Sequence, residues 1–297
     1  MLSVVSYIFF HRAKIKEYMS GLSKEVCFCI TRLRTTFVDS LGNKPKGIAT
    51  GFWVLTEKGN RIFVTNKHSL DISMKYGSKE KFDFIALELE LRKKKNNNFL
   101  SETEFFNVSL ESKIIYGEKT DLALIVNPGL HGDIRDFGVQ FLKLSDWGPD
   151  EEFFIKRSRI ASDVSFVGFP MNLFDSKWKL PIARHAIIAS VSEIDFSHDN
   201  ISSEGIILVS GLSFEGGSGS PVFSSSRGQR INCDVGFVES DDYCPQKLLG
   251  IMTGHLQLQP ETKEYITKKE ESFTRHTGLS YFTNSLYLIN LIINNDL

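Results

Sequence analysis

The chain is poor in the features that mark several large protein classes. Its four cysteines in 297 residues, Cys27, Cys29, Cys233 and Cys244, are too few and too unevenly placed for a disulfide framework. No CxxC pair with partnering histidines is present, so neither zinc nor another metal has a ligand pattern here, and no organic cofactor motif is seen. Thiols left free in this way point to a reducing, cytoplasmic setting. Charge of one sign is lacking too. Lys+Arg number 35 against 36 Asp+Glu, a net charge of -1, without the basic excess of a nucleic-acid binder. The apolar opening, Met1–Phe10, is only 10 residues long and cannot cross a bilayer as a helix. His11-Arg12-Ala13-Lys14 follows it where a signal peptide would carry a small-residue cleavage site, so export is not expected. Residues 1–19 read as an N-terminal extension, with Met19 as an alternative start.

What is present is ordinary globular material, 41% hydrophobic and 24% charged. Short apolar or alternating runs dominate. Val26–Thr31, Gly51–Leu55, Ile62–Thr65 and Leu122–Val126 read as strands. Ile85, Leu87, Leu89 and Leu91 alternate with Ala86, Glu88, Glu90 and Arg92, the period of a half-buried strand, and Lys93–Asn98 reads as an exposed connection. The polar stretch Asp146–Glu152 marks a boundary between residues 20–148 and 149–297. In the second half, Val164–Phe169, Ala186–Val191, Ile206–Val209, Pro221–Phe223, Leu248–Met252 and Leu279–Phe282 repeat the strand texture, and Gln257–Arg275 reads as a polar hairpin or surface loop. Asn284–Asn294 differs: Leu286, Ile289 and Ile293, with Leu288 and Ile292 alongside, follow helical spacing, and Thr283, Asn284 or Ser285 is available as a cap. The pattern is all-β with a C-terminal α-helix. Periodicity alone leaves barrels and a sandwich both open.

Three stretches carry candidate chemistry. Gly216-Gly217-Ser218-Gly219-Ser220-Pro221 is a tight turn that projects one hydroxyl between glycines whose backbone can bring N–H groups beside it. Thr65-Asn66-Lys67-His68 ends an apolar strand in a histidine, and Thr120-Asp121-Leu122-Ala123-Leu124 places an acid at the mouth of another. The order is His68, Asp121, Ser218. These motifs resemble those of the chymotrypsin-like (trypsin fold) serine proteases, closest to the disulfide-free bacterial trypsin-like and HtrA-type peptidase domains. Phe166-Val167-Gly168-Phe169-Pro170 and Leu249-Gly250-Ile251-Met252-Thr253-Gly254 echo the family more weakly, and the likeness runs from about residue 25 to 295.

The resemblance implies two six-stranded antiparallel β-barrels, the first carrying His68 and Asp121 and the second carrying Ser218 and the C-terminal helix. It implies a serine endopeptidase acting on polypeptides, with His68 as base, Asp121 orienting it, Ser218 as nucleophile, and the Gly216 and Ser218 N–H groups as the oxyanion hole. Leu212, Thr253, Gly254 and His255 would border the substrate pocket. Leu212 stands six residues before Ser218, where trypsin has an acid, so a Lys/Arg preference is not expected; an apolar or small side chain is, with an acidic one second. Gly217 replaces the acid that pairs with a new N-terminus in trypsin, so that activation route is closed. The alternatives are a silent protease-shaped peptide binder and a protease held inactive until a partner protein orders the Ser218 turn.

Overall fold

The computed structural model describes residues 17–19, 22–71, 83–96, 98–198, 201, 203–228, 230–233, 236–240, 243–258 and 275–297. The expectations for residues 1–16, and most of the polar stretch before Arg275, lie outside the described residues. The chain divides into two compact units. The smaller, residues 1–23 and 225–246, holds a three-stranded antiparallel sheet of Glu17–Met19, Arg230–Cys233 and Gly236–Glu239. The larger, residues 24–224 and 247–297, holds every candidate site residue.

In the larger unit the first half forms one sheet. Its strands are β1 (Ile30–Val38), β2 (Lys46–Leu55), β3 (Arg61–Thr65), β4 (Asp83–Lys95), β5 (Asn98–Asn107), β6 (Lys113–Tyr116) and β7 (Ala123–Val126). They lie in the order β5-β4-β1-β2-β3-β7-β6, with the short β8 (Phe137–Gly138) on β4 and β9 (Leu142–Lys143) parallel to β2. The alternating run on β4 behaves as its period predicts. Leu87, Leu89 and Leu91 are buried with Leu33, Trp53, Phe63 and Ile125, though Glu90 on the opposite face is buried too.

After α1 (Leu144–Trp147) and α2 (Glu151–Arg157), six strands close a barrel: β10 (Asp163–Gly168), β11 (Ile182–Ile188), β12 (Ile206–Ser210), β13 (Pro221–Ser224), β14 (Leu248–Leu258) and β15 (Arg275–Asn284), in the order β10-β11-β12-β15-β14-β13. All six overlap apolar runs read from the sequence, though β11 lies four residues earlier at its start than the run Ala186–Val191, and β14 and β15 extend beyond theirs. Phe166, Val209, Val222, Leu249 and Phe282 fill the interior. The final helix, α3 (Ser285–Asn294), is capped by Asn284, whose side-chain oxygen accepts from the Leu286 N–H at 2.8 Å. Among the described residues, no helix is long and apolar enough to cross a membrane.

Three expectations are corrected. One barrel closes, not two. A barrel needs its edge strands to pair along a common length. Here the edges are the 10-residue β5 and the 4-residue β6, and among the described residues no ladder joins them, so the first half is an open nine-stranded sheet. Second, Val26–Phe28 is not strand: Lys24–Phe28 is a 3-10 turn closed by Cys29 N–H to Val26 C=O at 3.0 Å. The three-residue spacing puts Val26 and Cys29 on one buried side, which a strand cannot do. Third, α3 buries Leu288 and Ile292, four apart, while Ile293 is 65% exposed.

Cys27, Cys29 and Cys244 are free thiols. Burial pushes the Cys29 thiol up to about 12, which keeps it protonated and unreactive at neutral pH. Alkylation by iodoacetamide at pH 8, read by peptide mass spectrometry, is expected to be at least about 100-fold slower at Cys29 in the native protein than in denaturant; equal rates would contradict this placement.

Candidate active site

His68 and Asp121 meet because of strand register. β3 and β7 pair antiparallel with Thr65 opposite Ala123, so the chain leaving β3 and the chain entering β7 share one sheet end. A 3-10 turn, Lys67–Ser69, then folds the histidine back over that end. Asp121 holds it twice. Its Oδ1 accepts the His68 backbone N–H at 2.9 Å, and its Oδ2 lies 2.6 Å from His68 Nδ1. A carboxylate in that place accepts Nδ1–H, which leaves Nε2 as the acceptor tautomer. Asp121 is anchored in turn. Its backbone N–H donates to Ser203 Oγ at 2.9 Å, and its carbonyl accepts from Asn66 Nδ2 at 2.9 Å. Both Asn66 and Asp121 are buried, whereas the His68 side chain keeps 18% exposure toward the cavity beside it.

Ser218 sits on the turn between β12 and β13. Gly216 and Gly219 have φ of +81° and +86°, a region costly for side-chain-bearing residues. At Gly219 an added Cβ would also overlap the Thr50 carbonyl oxygen, so glycine is required twice over. The turn is pinned from both sides. Thr50 on β2 donates its N–H to Ser218 C=O at 2.9 Å and its hydroxyl to Gly216 C=O at 2.7 Å, while Gly219 N–H donates to Met252 C=O on β14 at 2.8 Å. Among the described residues, no acceptor takes the N–H of Gly216 or of Ser218. The Ser218 hydroxyl donates to Thr253 C=O at 3.3 Å.

His68, Asp121, Ser218 and Gly216 border one cavity of about 500 Å³, together with Thr253, Gly254 and His255. Tyr281 closes one side of it. Burial and, secondarily, the Asp121 charge hold its phenol above the usual range, so it stays protonated. Leu212 is not brought in: it is 51% exposed, off the cavity, and its carbonyl takes Arg184 Nη1 at 2.9 Å. Arg184 lies behind the turn against Gly217, over the rings of Phe166 and Phe214, and burial lowers its guanidinium to about 10. Sequence reading passed over Thr50, Ser203 and the segment Phe169–Asn172 as parts of the site; only the Val167-Gly168-Phe169-Pro170 echo hinted at the last. Among the described residues, no group of three or more His, Cys, Asp or Glu side chains is placed to hold a metal ion.

No family model matches the chain, and no curated protein matches it.

Gly219→Ala combines an unfavourable φ with the overlap on Thr50. The cost expected is about 1–3 kcal/mol, read as a drop of several degrees in melting temperature. An unchanged melting curve would show that the turn relaxes freely.

Proposed function

We propose that this chain is a serine endopeptidase of chymotrypsin-like architecture, its open sheet the counterpart of a first barrel. The observation that carries the reading is the doubly held His68, 2.6 Å from the buried Asp121 and facing the same cavity as Ser218. A serine hydroxyl needs an adjacent base, and the base needs a group that fixes its tautomer. Ser218 attacks the peptide carbonyl and forms the acyl-enzyme. His68 Nε2 takes the hydroxyl proton and returns it to the leaving amine, and Asp121 stabilises the imidazolium. The unpartnered N–H groups of Gly216 and Ser218 receive the oxyanion, where loss of one such donor typically costs about 2.7–4 kcal/mol. The substrate is a polypeptide lying along the cavity past Thr253, Gly254 and His255. The free thiols of Cys27, Cys29 and Cys244 support a cytoplasmic location.

One observation favours a second reading, a protease that waits for a partner. The Ser218 hydroxyl rests on the Thr253 carbonyl at 3.3 Å and makes no hydrogen bond to His68. That bond to Thr253 has to break before the hydroxyl can hand its proton to His68.

The test is covalent labelling by a fluorophosphonate probe. Wild type is expected to label, and Ser218→Ala and His68→Ala are not. Asp121→Asn should lower kcat on a peptide substrate by about 10⁴-fold, through the wrong tautomer. Labelling that appears only after addition of cell lysate would favour the partner-dependent reading. Absence of labelling in both settings would leave a peptide-binding module in place of an enzyme.

A further inference from the structure

The direction of the Gly216 N–H is set by the peptide that joins it to Glu215. That peptide is trans, so its carbonyl and N–H point opposite ways. The Glu215 carbonyl accepts the Met171 N–H at 2.5 Å. While that bond holds, the Gly216 N–H is turned away from residue 171. If the peptide flipped, an acceptor would stand where a donor is needed.

Met171 presents its N–H there by way of an unusual backbone. Met171 and Asn172 both have positive φ, 49° and 57°, and neither is glycine. Such a conformation costs roughly 1–2 kcal/mol per residue unless surroundings hold it. Local bonds supply part of the hold, Asn172 N–H to Phe169 C=O at 3.1 Å and Leu173 N–H to Pro170 C=O at 2.8 Å. The remaining one comes from the first sheet. Asn172 Oδ1 accepts from Arg32 Nη1 at 2.8 Å.

Arg32 is itself immobilised. Glu90 takes its Nε at 2.7 Å and its Nη2 at 2.6 Å, a two-point fork between side chains only 8% and 5% exposed. Thr103 donates to the same carboxylate at 2.6 Å, and the Phe174 ring lies 4.1 Å from the guanidinium carbon. With the fork occupied, Nη1 is left to aim at Asn172. A buried ion pair is no gain in stability over apolar residues of the same volume. What an apolar pair would lack is this third bond.

We propose that Arg32, oriented by Glu90, is a positioning residue for the oxyanion-binding peptide, acting through Asn172 and the Met171 N–H. The proposal rests on the serine-protease reading. Two variants cut the link while sparing the fold: Asn172→Gly, which keeps the positive φ, and the double change Arg32→Met with Glu90→Met, which leaves no lone buried charge. Asn172→Asp keeps the acceptor. The expected result is a fall in kcat for a peptide amide approaching 10²-fold in the first two, with KM changed by less than about 3-fold and the fluorophosphonate labelling rate falling in parallel. Asn172→Asp should stay near wild type. If the first two variants melt lower but turn over at the wild-type kcat, the residues are only structural and the proposal is overturned. An inert wild type, alone and in lysate, would overturn the protease reading itself, and the inference with it.

Discussion

One threonine joins the two halves of the larger unit at the point where they matter to each other. Thr50 is fully buried on β2, and every polar group it has is used. Its N–H holds the Ser218 carbonyl, its hydroxyl donates to the Gly216 carbonyl and accepts the Phe169 N–H at 3.0 Å, and its carbonyl accepts the Thr65 hydroxyl at 2.8 Å. Thr65 ends the strand that delivers His68. The Ser218 turn, the Phe169 segment and the strand leading to His68 are therefore referenced to one residue. A hydrogen bond of this kind contributes only about 0.5–1.5 kcal/mol net, but leaving one of its members unpaired in this dry place costs about 1–3 kcal/mol. The junction is consequently all-or-none in geometry while modest in stability.

The same logic runs through the rest of the contact between sheet and barrel. Arg32 with Glu90 reaches Asn172, and Arg92 reaches the Trp178 and Lys179 carbonyls at 2.5 and 2.9 Å. Burial lowers the Arg92 guanidinium against the pull of Glu90. Apolar packing stabilises each half separately, with Phe63, Leu89 and Ile125 in the sheet and Phe166, Val209 and Phe282 in the barrel. Hydrophobic contact is non-directional. Fixing a hydroxyl against an imidazole needs directional bonds, and those are what this chain concentrates between the halves.

How much was legible follows from how local each signal is. The six barrel strands were visible because each buries an alternating or continuous apolar run, a pattern contained in a few residues. The Asn284 cap and the helix were visible for the same reason, although the buried face fell on Leu288 and Ile292 and left Ile293 out. The open first sheet was not legible, because closure depends on whether the two edge strands, β5 and β6, pair along a common length, which no local pattern records. Glu90 read as the polar side of an alternating strand and Arg32 lay just past the Val26–Thr31 run, and nothing local says that their side chains are buried together. The positive φ of Met171 has no sequence signal at all, since methionine does not favour it. Leu212 was assigned by its distance from Ser218 along the chain, yet the turn carries it outward to Arg184.

The pinned backbone also limits what remains to be moved. Ser218 C=O and Gly216 C=O are both bonded to Thr50 on β2, Gly219 N–H to Met252 on β14 and Glu215 C=O to the Met171 N–H, so the turn cannot reorient as a unit without breaking several bonds at once. The Ser218 hydroxyl is held by one long bond to Thr253 C=O, and His68 keeps its Nδ1 bond whatever the hydroxyl does. Turning that half-buried hydroxyl about its side-chain torsion is a local motion. A change confined to that torsion needs no large rearrangement, and an arriving carbonyl that fills the space beside the Gly216 and Ser218 N–H groups would also shift where the hydroxyl is best placed.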